Sequence, residues 1–307
     1  MNNTIHIPVL LKEVIDHLSI QPHDIIFEGT CGFGGHTQAL INKLSEKGLY
    51  IGCDQDITAI NHCKNTFASS KNCHFYHQNF SNLDDLLTQN EYPTPTKYLF
   101  DLGVSSHQFD EAERGFSHRY SSTLDMRMNI SDKTTAASIL NTYKTSDLSD
   151  IFYHFGELRH NKKLVENISH QRKKSPINTT DDLLTLIKKS YYFHNKRPLF
   201  VKTCSQVFQA LRIECNNEFG HLKTLLNKLE QSVTPSTIIA IITFHSLEDK
   251  IVKTFVKQSD FLELSPRSVI KPSKEEVSSN SRSRSAKLRI IKQKKEKYPK
   301  KQKLTKN

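Results

Sequence analysis

The stretch Glu28-Gly-Thr-Cys-Gly-Phe-Gly-Gly-His36 decides the fold of this chain. It follows a short apolar run, residues 24–29, that is typical of a buried strand, and it precedes a helical pattern over residues 36–47. Glycines between a strand and a helix let the backbone approach a ligand and adopt conformations closed to residues with a Cβ atom. The context therefore predicts a ligand-binding turn at the edge of a sheet.

This turn differs from the dinucleotide-binding pattern Gly-x-Gly-x-x-Gly. Thr37 stands where the third glycine would be, and Glu28 lies four residues before Gly32. That spacing is typical of the acidic-x-Gly-x-Gly-x-Gly loop of methyltransferases, with Thr30 at the position of the first glycine. A carboxylate at the strand end suits a cationic amino acid better than a pyrophosphate. The stretch therefore favours S-adenosylmethionine over a nicotinamide dinucleotide.

Three further strands are predicted to end at the same edge of the sheet. Asp54 ends the second strand, 22 residues after Gly32, where a carboxylate can accept hydrogen bonds from both ribose hydroxyls of an adenosine. The third strand ends near Phe80, for which packing on adenine and packing in the core are equal alternatives. The fourth strand delivers Asp101 and is followed by a loop that contains Gln108. Asp101 can accept from a substrate amine or hold the cofactor amine, and the sequence leaves both roles open.

The pattern of elements predicts an α/β fold with one interruption. Short strands alternate with helices over the first hundred residues, as in a Rossmann-like parallel sheet with right-handed crossovers. Residues 109–205 show helical patterns and no convincing strand, after which a helix over 207–231 and strands at 237–244 and 286–292 resume the sheet pattern. We expect a core formed by residues 1–108 and 206–292, an inserted, mostly helical domain over 109–205, and a basic disordered tail over 293–307.

Positive charge is concentrated in two parts of the chain. The formal net charge is +11; residues 159–202 carry +8 and residues 292–307 carry +7, so the remainder is negative. Two separate basic blocks are expected where a protein binds a polyanion such as RNA. For the tail alone, a solubilising role is an equal alternative.

Several features exclude other classes of protein. No apolar run approaches the roughly 20 residues that span a bilayer. The first residues lack a basic stretch followed by an apolar one, and the six cysteines form no Cys-x-x-Cys pair. We therefore expect a cytoplasmic protein with reduced thiols, no membrane partner and no metal site.

Several longer motifs are similar to those of one known family. They are His6-Ile-Pro-Val-Leu-Leu-Lys-Glu13, Gly-Thr-x-Gly-x-Gly-Gly-His (29–36), Asp-Leu-Gly-Val-Ser-Ser-x-Gln (101–108), Leu-Asp-Met-Arg-Met (124–128), Phe-Gly-Glu (155–157), Phe-His-Ser-Leu-Glu-Asp (244–249) and Ser281-Arg-Ser-Arg-Ser-Ala-Lys-Leu-Arg289. Together they resemble the bacterial small-subunit (16S) ribosomal RNA cytosine-N4 methyltransferases, the MraW family. The similarity extends over nearly the whole chain.

The resemblance implies a function and a set of site residues. It implies a class I methyltransferase core with a substrate-binding insertion, S-adenosylmethionine as cofactor, and small-subunit ribosomal RNA as partner in ribosome biogenesis. The reaction would be methylation of the exocyclic N4 amine of a cytidine in the decoding region. The cofactor-binding residues, carried over by position, are Gly34, Gly35, His36, Asp54, Phe80, Asp101 and Gln108, and Asp101 is also the candidate catalytic residue. The family's His-Pro-Ala-Thr-Arg is replaced here by Lys202-Thr-Cys-Ser-Gln206.

Two alternatives of other classes remain: an NAD-dependent oxidoreductase, and a non-catalytic RNA-binding or ribosome-assembly protein. Two local alternatives also bear on the site. Asp125 and Arg127 form either a structural ion pair or a substrate contact. Ser246 is predicted to be a helix N-cap, which makes Ser246 and the neighbouring His245 weaker catalytic candidates than Asp101.

Overall fold

A seven-stranded sheet forms the centre of the molecule. The computed structural model describes residues 8–105, 108–109, 111–194 and 196–295. The start of the opening motif and most of the predicted tail lie outside these residues. The strands are β1 (Ile25–Glu28), β2 (Leu49–Asp54), β3 (Cys73–His77), β4 (Lys97–Asp101), β5 (Ile238–Thr243), β6 (Leu262–Leu264) and β7 (Lys287–Gln293). Their order across the sheet is β3-β2-β1-β4-β5-β7-β6.

The sheet has the topology expected of the α/β core. The first five strands pair in parallel, and β7 runs antiparallel to both β5 and β6. β1 lies between β2 and β4, so the strand order reverses there, and such a reversal opens a crevice at the carboxyl ends of the strands. The predicted Rossmann-like fold is confirmed.

Helices cover both faces of this sheet. The helices before the insertion are α1 (Leu11–Leu18), α2 (Gly35–Ile41), α3 (Ile57–Thr66) and α4 (Leu83–Gln89); those after it are α10 (Glu218–Ser232), α11 (Ser246–Gln258) and α12 (Lys274–Ser279). Side chains alternate along the strands: Phe27 and Phe100 join a core with α4, α10 and α11, whereas Ile26 and Leu99 join one with α1, α2 and α3. In the part of the chain that the structure describes, no helix is long and apolar enough to cross a membrane.

A third core lies between the helices that interrupt the sheet pattern. These are α5 (Ala136–Thr142), α6 (Thr145–His154), α7 (Lys162–Arg172), α8 (Thr180–Ser190) and α9 (Arg197–Cys215). Buried apolar side chains of these helices and of the segment before α5 form one cluster, from Phe116 to Cys215. α9 continues through residue 205, at which the sequence pattern placed the end of the insertion. The domain limits at 108 and 205 therefore stay predictions.

The helix predicted over residues 207–231 is two helices. α9 ends at Cys215 and α10 begins at Glu218, because Asn217 takes a left-handed backbone conformation (φ 45°), which asparagine tolerates better than most residues. The buried side chain of Asn216 stabilises the break. Its Oδ1 accepts from the Met128 amide at 2.7 Å, and its Nδ2 donates to the Met126 carbonyl at 2.8 Å.

Two short segments outside the main helices are also ordered. Asn79 accepts from the Ser81 amide at 2.9 Å and begins a short 3₁₀ turn, Phe80–Asn82, before α4. Residues 265–285 contain α12 and a second 3₁₀ turn, Ser281–Ser285. This segment is held to the core where Glu276 Oε1 accepts from the Leu10 amide at 2.8 Å.

Replacing Asn216 by alanine should lower the free energy of unfolding by about 2–4 kcal/mol, because the Met128 amide and the Met126 carbonyl would lose their buried partner. Urea denaturation measures the effect. Asn42→Ala, at the C-terminus of α2, is the control and should change the stability by less than about 0.5 kcal/mol. Equal stability of the two variants would show that the Asn216 bonds do not hold the helix break.

Candidate functional site

A cleft of about 670 Å³ lies at the carboxyl ends of β1, β2 and β4. Its volume is in the range of sites that enclose a small-molecule ligand. Six of the seven predicted cofactor residues line it: Gly35, His36, Asp54, Phe80, Asp101 and Gln108. The turn between β1 and α2 therefore meets the ends of three other strands, as the sequence predicted.

The glycines of the turn have different roles. Gly32 lines the cleft at φ +49°, and the space that a Cβ atom would enter is open. Gly34, the seventh predicted residue, does not line the cleft. It precedes α2 at φ +82°, where a Cβ atom would lie 2.8 Å from the ring of Phe67. Gly34 shapes the turn, and its contact with a cofactor stays a prediction.

Asp54 holds this turn through its carboxylate. One oxygen accepts from the Gly32 amide and the other from the Asp56 amide, each at 2.9 Å. Burial raises the pKa of Asp54 to about 6, against the lowering effect of these backbone hydrogen bonds. A carboxylate has about four acceptor positions, so each oxygen can still accept from a ribose hydroxyl.

Phe80 belongs to both the cleft and the core. Its ring packs edge-on against Phe100 at 5.8 Å, and the residue is buried at the end of the third strand segment. It also lines the cleft beside Asn79. The two alternatives for Phe80 are therefore compatible, and its contact with adenine stays a prediction.

Asp101 lines the cleft with a carboxylate whose hydrogen bonds are incomplete within the described part of the chain. Its Oδ1 atom is buried and has no hydrogen-bond partner among the described residues. Burial, with the charges of Glu28 and Glu248, raises its pKa to about 8. His36 lies beside it, with Nδ1 3.9 Å from Asp101 Oδ2 and Nε2 2.9 Å from the Val9 carbonyl oxygen. Since a carbonyl only accepts, the Nε2 atom carries a proton.

Gln108 connects the cleft to a residue that the sequence analysis missed. Its Nε2 donates to Asp56 Oδ2 at 2.8 Å, and Arg114 Nη1 donates to the same oxygen at 3.2 Å. Burial raises the pKa of Asp56, but these bonds and the charge of Arg114 outweigh it, and the pKa is lowered. Only the position of Asp56, two residues after a strand-end acid, could have indicated its role.

Glu28 does not line the cleft, contrary to its expected role as a partner for a cationic ligand. Its Oε2 atom accepts from Thr37 Oγ1 at 2.8 Å and from the Tyr50 hydroxyl. Glu28 and Thr37, the two residues that distinguish this turn from the dinucleotide-binding pattern, are therefore hydrogen-bonded to each other. Burial raises the pKa of Glu28 to about 7, against the opposing hydrogen bonds from Tyr50 and Thr37.

Residues from the C-terminal part of the chain also reach the cleft. Asn280 and Arg282, within or beside the Ser-Arg-Ser-Arg-Ser motif, line its mouth, and the Arg282 guanidinium lies 5.9 Å from the centre of the Phe109 ring. Sequence reasoning noted this motif but assigned the segment no place in the site. No local pattern shows which distant strand end a segment will cover.

The loop after β5 has a different cap from the one predicted. His245, and not Ser246, is the N-cap of α11: its Nδ1 accepts from the Glu248 amide at 3.4 Å, in a reciprocal box with the Glu248 side chain. Ser246 Oγ instead donates to Glu157 Oε2 at 2.9 Å. The Phe-Gly-Glu and Phe-His-Ser-Leu-Glu-Asp motifs therefore meet, and Ser246 connects the sheet core to the inserted helices.

Glu218, His245 and Glu248 each bring one potential metal ligand within 4.8 Å of the others. Arg212 already donates to both oxygens of Glu218, at 2.7 and 3.0 Å. The guanidinium supplies the positive charge that an ion would supply, so this group is an ion-pair network. Asp125 and Arg127 likewise form a bidentate pair at 2.7–2.8 Å, which is the structural ion pair of the two alternatives given above.

Comparison with known proteins assigns the chain to a family. Residues 3–294 match the model of the MraW methylase family. The chain belongs to the MraW methylase family. Two curated relatives are each named ribosomal RNA small subunit methyltransferase H. The one from Bacteroides fragilis (strain YCH46) is 38% identical over 306 residues, covering 95% of this chain and 98% of the relative. The one from Hydrogenobaculum sp. (strain Y04AAS1) is 42% identical over 288 residues, covering 94% and 95%.

Among solved structures, an rRNA methylase from Streptococcus thermophilus gives a TM-score of 0.42 at 10% identity and covers 93% of each chain. The fold assignment depends on the strand order of this chain's own sheet. Membership of the MraW methylase family confirms the predicted class, with S-adenosylmethionine as the cofactor, and excludes the oxidoreductase alternative.

Glu28→Gln should make stability less dependent on pH. The folded-state pKa of about 7 exceeds the ordinary 4.5, so the folded wild type binds more protons than the unfolded chain between these values, and its stability falls as the pH rises through 7. Glutamine keeps an oxygen for Thr37 and Tyr50 but carries no charge. The difference in melting temperature, variant minus wild type, should therefore be larger at pH 8 than at pH 5.

Glu46→Gln, at an exposed position, controls for the loss of one negative charge. If the Glu28→Gln variant differs from wild type by the same amount at both pH values, Glu28 does not titrate in the folded protein as described.

Proposed function

We propose that the protein transfers the methyl group of S-adenosylmethionine to the N4 amine of a cytidine in the decoding region of small-subunit ribosomal RNA. The observation that carries this proposal is the unpartnered, buried Oδ1 atom of Asp101, which lines a cleft shared with five other predicted cofactor residues. The names of the curated relatives support small-subunit ribosomal RNA as substrate. The motifs that the chain shares with the N4-cytosine family support the N4 amine as the target.

The residues of the cleft fit the proposed cofactor. The space beside Gly32 is open, so a ligand can approach the backbone of the turn. Asp54 has acceptor capacity for two ribose hydroxyls, and Phe80 offers an aromatic surface next to Asn79. Asp101, a half-buried acid whose buried Oδ1 atom has no hydrogen-bond partner among the described residues, suits an ammonium or amine donor. When bound, S-adenosylmethionine supplies an activated methyl group on a sulfonium.

The protein has to supply alignment and a hydrogen-bond acceptor. The N4 atom of cytosine is a weak nucleophile because its lone pair is delocalised into the ring, so the reacting atoms must be held in line. Such alignment accounts for roughly 7–11 kcal/mol in favourable cases. Asp101, once ionised, accepts a hydrogen bond from the target amine and stabilises the positive charge that develops on it. The same carboxylate can accept the proton that N4 loses when the bond between N4 and the methyl group forms.

The inserted helices are the proposed RNA-binding part. Lys173 and Lys174 are exposed at the end of α7 and suit phosphate contacts, which position RNA without reading its sequence. Arg172 is different, since its Nη1 donates to the carbonyls of Leu140 at 3.0 Å and Tyr143 at 2.6 Å. Its charge therefore stabilises the end of α5.

The expected place of action, with ribosomal RNA as partner, is the cytoplasm.

Asp54→Ala should weaken binding of S-adenosylmethionine by about 1–3 kcal/mol, the cost of losing charge-assisted hydrogen bonds. Isothermal titration calorimetry with the cofactor and with NAD measures this. Asp54→Asn keeps one oxygen for the Gly32 amide and separates the loss of ribose contacts from a change in the turn. Tight binding of NAD, with none of the methyl donor, would contradict the cofactor assignment.

Asp101→Asn should lower methyl transfer by about 100-fold or more, since it removes the ionisable acceptor but keeps the shape of the side chain. Because the pKa of Asp101 is about 8, kcat/KM of the wild type should rise with pH up to about 8 and then level off, whereas the variant should show no such rise. The substrate is small ribosomal subunits that lack the modification, with labelled S-adenosylmethionine and nucleoside analysis of the product.

The same assay tests the whole proposal. Label in N4-methylcytidine supports it, and transfer to any other nucleoside would overturn the assigned target. A wild-type protein that binds both cofactor and subunits but transfers no methyl would favour the non-catalytic alternative.

A further inference from the structure

The loop between α8 and α9 exposes an aromatic ring in strongly basic surroundings. Tyr192 is 78% exposed, more than any other large apolar residue among the described ones. Exposed large apolar residues are few in this protein, yet three of them, Tyr192, Leu199 and Val201, lie within ten residues. Scattered apolar exposure is ordinary, but a cluster of it marks an interaction surface.

The loop that presents Tyr192 is well anchored. The neighbouring side chains Tyr191 and Phe193 pack against the core of the insertion, and the Phe193 ring contacts that of Phe200 at 5.2 Å. The Lys196 amide closes the loop by donating to the Phe193 carbonyl at 2.7 Å. Tyr192 therefore projects outward from a braced loop, with its ring 4.2 Å from that of His194.

The charged residues that neighbour this ring in the sequence are all basic. No acidic residue occurs from Leu183 to Ile213. The exposed cations in this stretch are Lys188, Lys189, Lys196, Arg197 and Lys202. We call these five cations, together with Tyr192, Leu199 and Val201, the 188–202 patch.

We propose that the 188–202 patch binds unpaired RNA several nucleotides from the target, with a base stacked on Tyr192 and phosphates on the surrounding cations. The proposal rests on the RNA substrate proposed above. Cations that follow the backbone, combined with an exposed aromatic ring, are the means by which proteins bind single-stranded nucleic acid without reading its sequence. A stretch rich in cations and without acids suits a negatively charged partner, and the exposed ring suits the unpaired base that a single strand carries beside each phosphate.

The distance between the patch and the cleft indicates how far the bound nucleotides lie from the one that reacts. α9 has 19 residues, about 28 Å of helix. Its far end is bonded through Asn216 to Met128, which lines the cleft. The patch therefore holds nucleotides several positions away from the one that reacts. Its loss should raise the Kd and KM for RNA and leave kcat at saturating RNA unchanged.

Tyr153 provides a matched control within the same insertion. It is 50% exposed and its ring contacts His154 at 4.9 Å, as that of Tyr192 contacts His194. Tyr153 therefore has a similar ring pair and is also exposed, but the acidic and basic residues of its own helix are Asp147, Asp150 and His154 and include no lysine or arginine.

Binding of labelled oligocytidylate at several salt concentrations tests the patch. Tyr192→Ala should weaken binding about 5- to 100-fold with an unchanged salt slope, and Tyr192→Phe and Tyr153→Ala should stay within about twofold of wild type. The double variant Lys196→Gln, Arg197→Gln should make the salt slope shallower by about 1.4, which is about 0.7 for each lost phosphate contact. Melting temperatures should not change, since all these side chains are exposed.

Three outcomes would overturn the proposal. In the first, Tyr192→Ala binds both oligocytidylate and small ribosomal subunits as well as wild type does. In the second, Tyr153→Ala loses as much affinity for oligocytidylate as Tyr192→Ala. In the third, Tyr192→Ala binds oligocytidylate normally but loses affinity for small ribosomal subunits, and the patch would then contact a protein of the subunit. Methyl transfer by the wild type is measured separately, so a failure of the proposed reaction and a failure of the patch are distinguishable.

Discussion

The buried carboxylate of Asp56 connects the sheet to the inserted helices. One oxygen caps the N-terminus of α3 by accepting from the Thr58 amide, and the other accepts from Gln108 and Arg114. The second amino group of Arg114 donates to the carbonyls of Arg127 and Met128. Gln108 and Met128 are walls of the cleft, so this carboxylate sets where the insertion stands relative to the strand ends. Removing one partner of such a buried pair leaves an uncompensated charge and is costly.

The acids of the site divide into two kinds. Asp56 faces a guanidinium, and its pKa is lowered. For Glu28, Asp54 and Asp101 the effect of burial outweighs the hydrogen bonds that oppose it, and their pKa values are raised to about 7, 6 and 8. Keeping three such groups near one another is unfavourable unless a ligand compensates for their charge. A cation that enters the cleft stabilises their ionised forms, so binding of a sulfonium-containing amino acid and release of protons are coupled.

Much of this arrangement could be predicted from the sequence. Asp54 and Asp101 are each the polar residue that ends an apolar run. Since parallel strands end at the same edge of a sheet, the positions of both residues at the cleft could be predicted. Glu28 ends a run in the same way, yet its longer side chain turns back to Thr37 and Tyr50, which strand periodicity does not show. Asp56 could not be predicted as a site residue. It lies beyond the strand end, where the sequence pattern indicates a turn, and its ion pair with Arg114 joins residues that are distant in sequence.

The parts that could not be predicted depend on contacts between distant segments. The break between α9 and α10 occurs because Asn216 bonds to Met126 and Met128, whereas the local pattern continues as a helix. Arg282 reaches the cleft because β7 returns antiparallel beside β5 and places the preceding segment over the strand ends. His245 caps α11 although Ser246 has the better intrinsic preference, because Ser246 is bonded to Glu157 of the insertion.

The distribution of charge over these parts is suited to the proposed reaction. Residues 159–202 carry +8, about half of the positive charge of the two basic blocks, whereas the part of the chain outside these blocks is negative in sum. Three acids with raised pKa values lie at or beside the cleft. A polyanion is attracted to the insertion, since unlike charges attract over about a Debye length of 8 Å. An RNA strand can therefore lie along the insertion with its phosphates on lysines and arginines, while a single unpaired base enters the cleft. The same separation favours a cationic cofactor inside the cleft, so that one electrostatic pattern places both reactants.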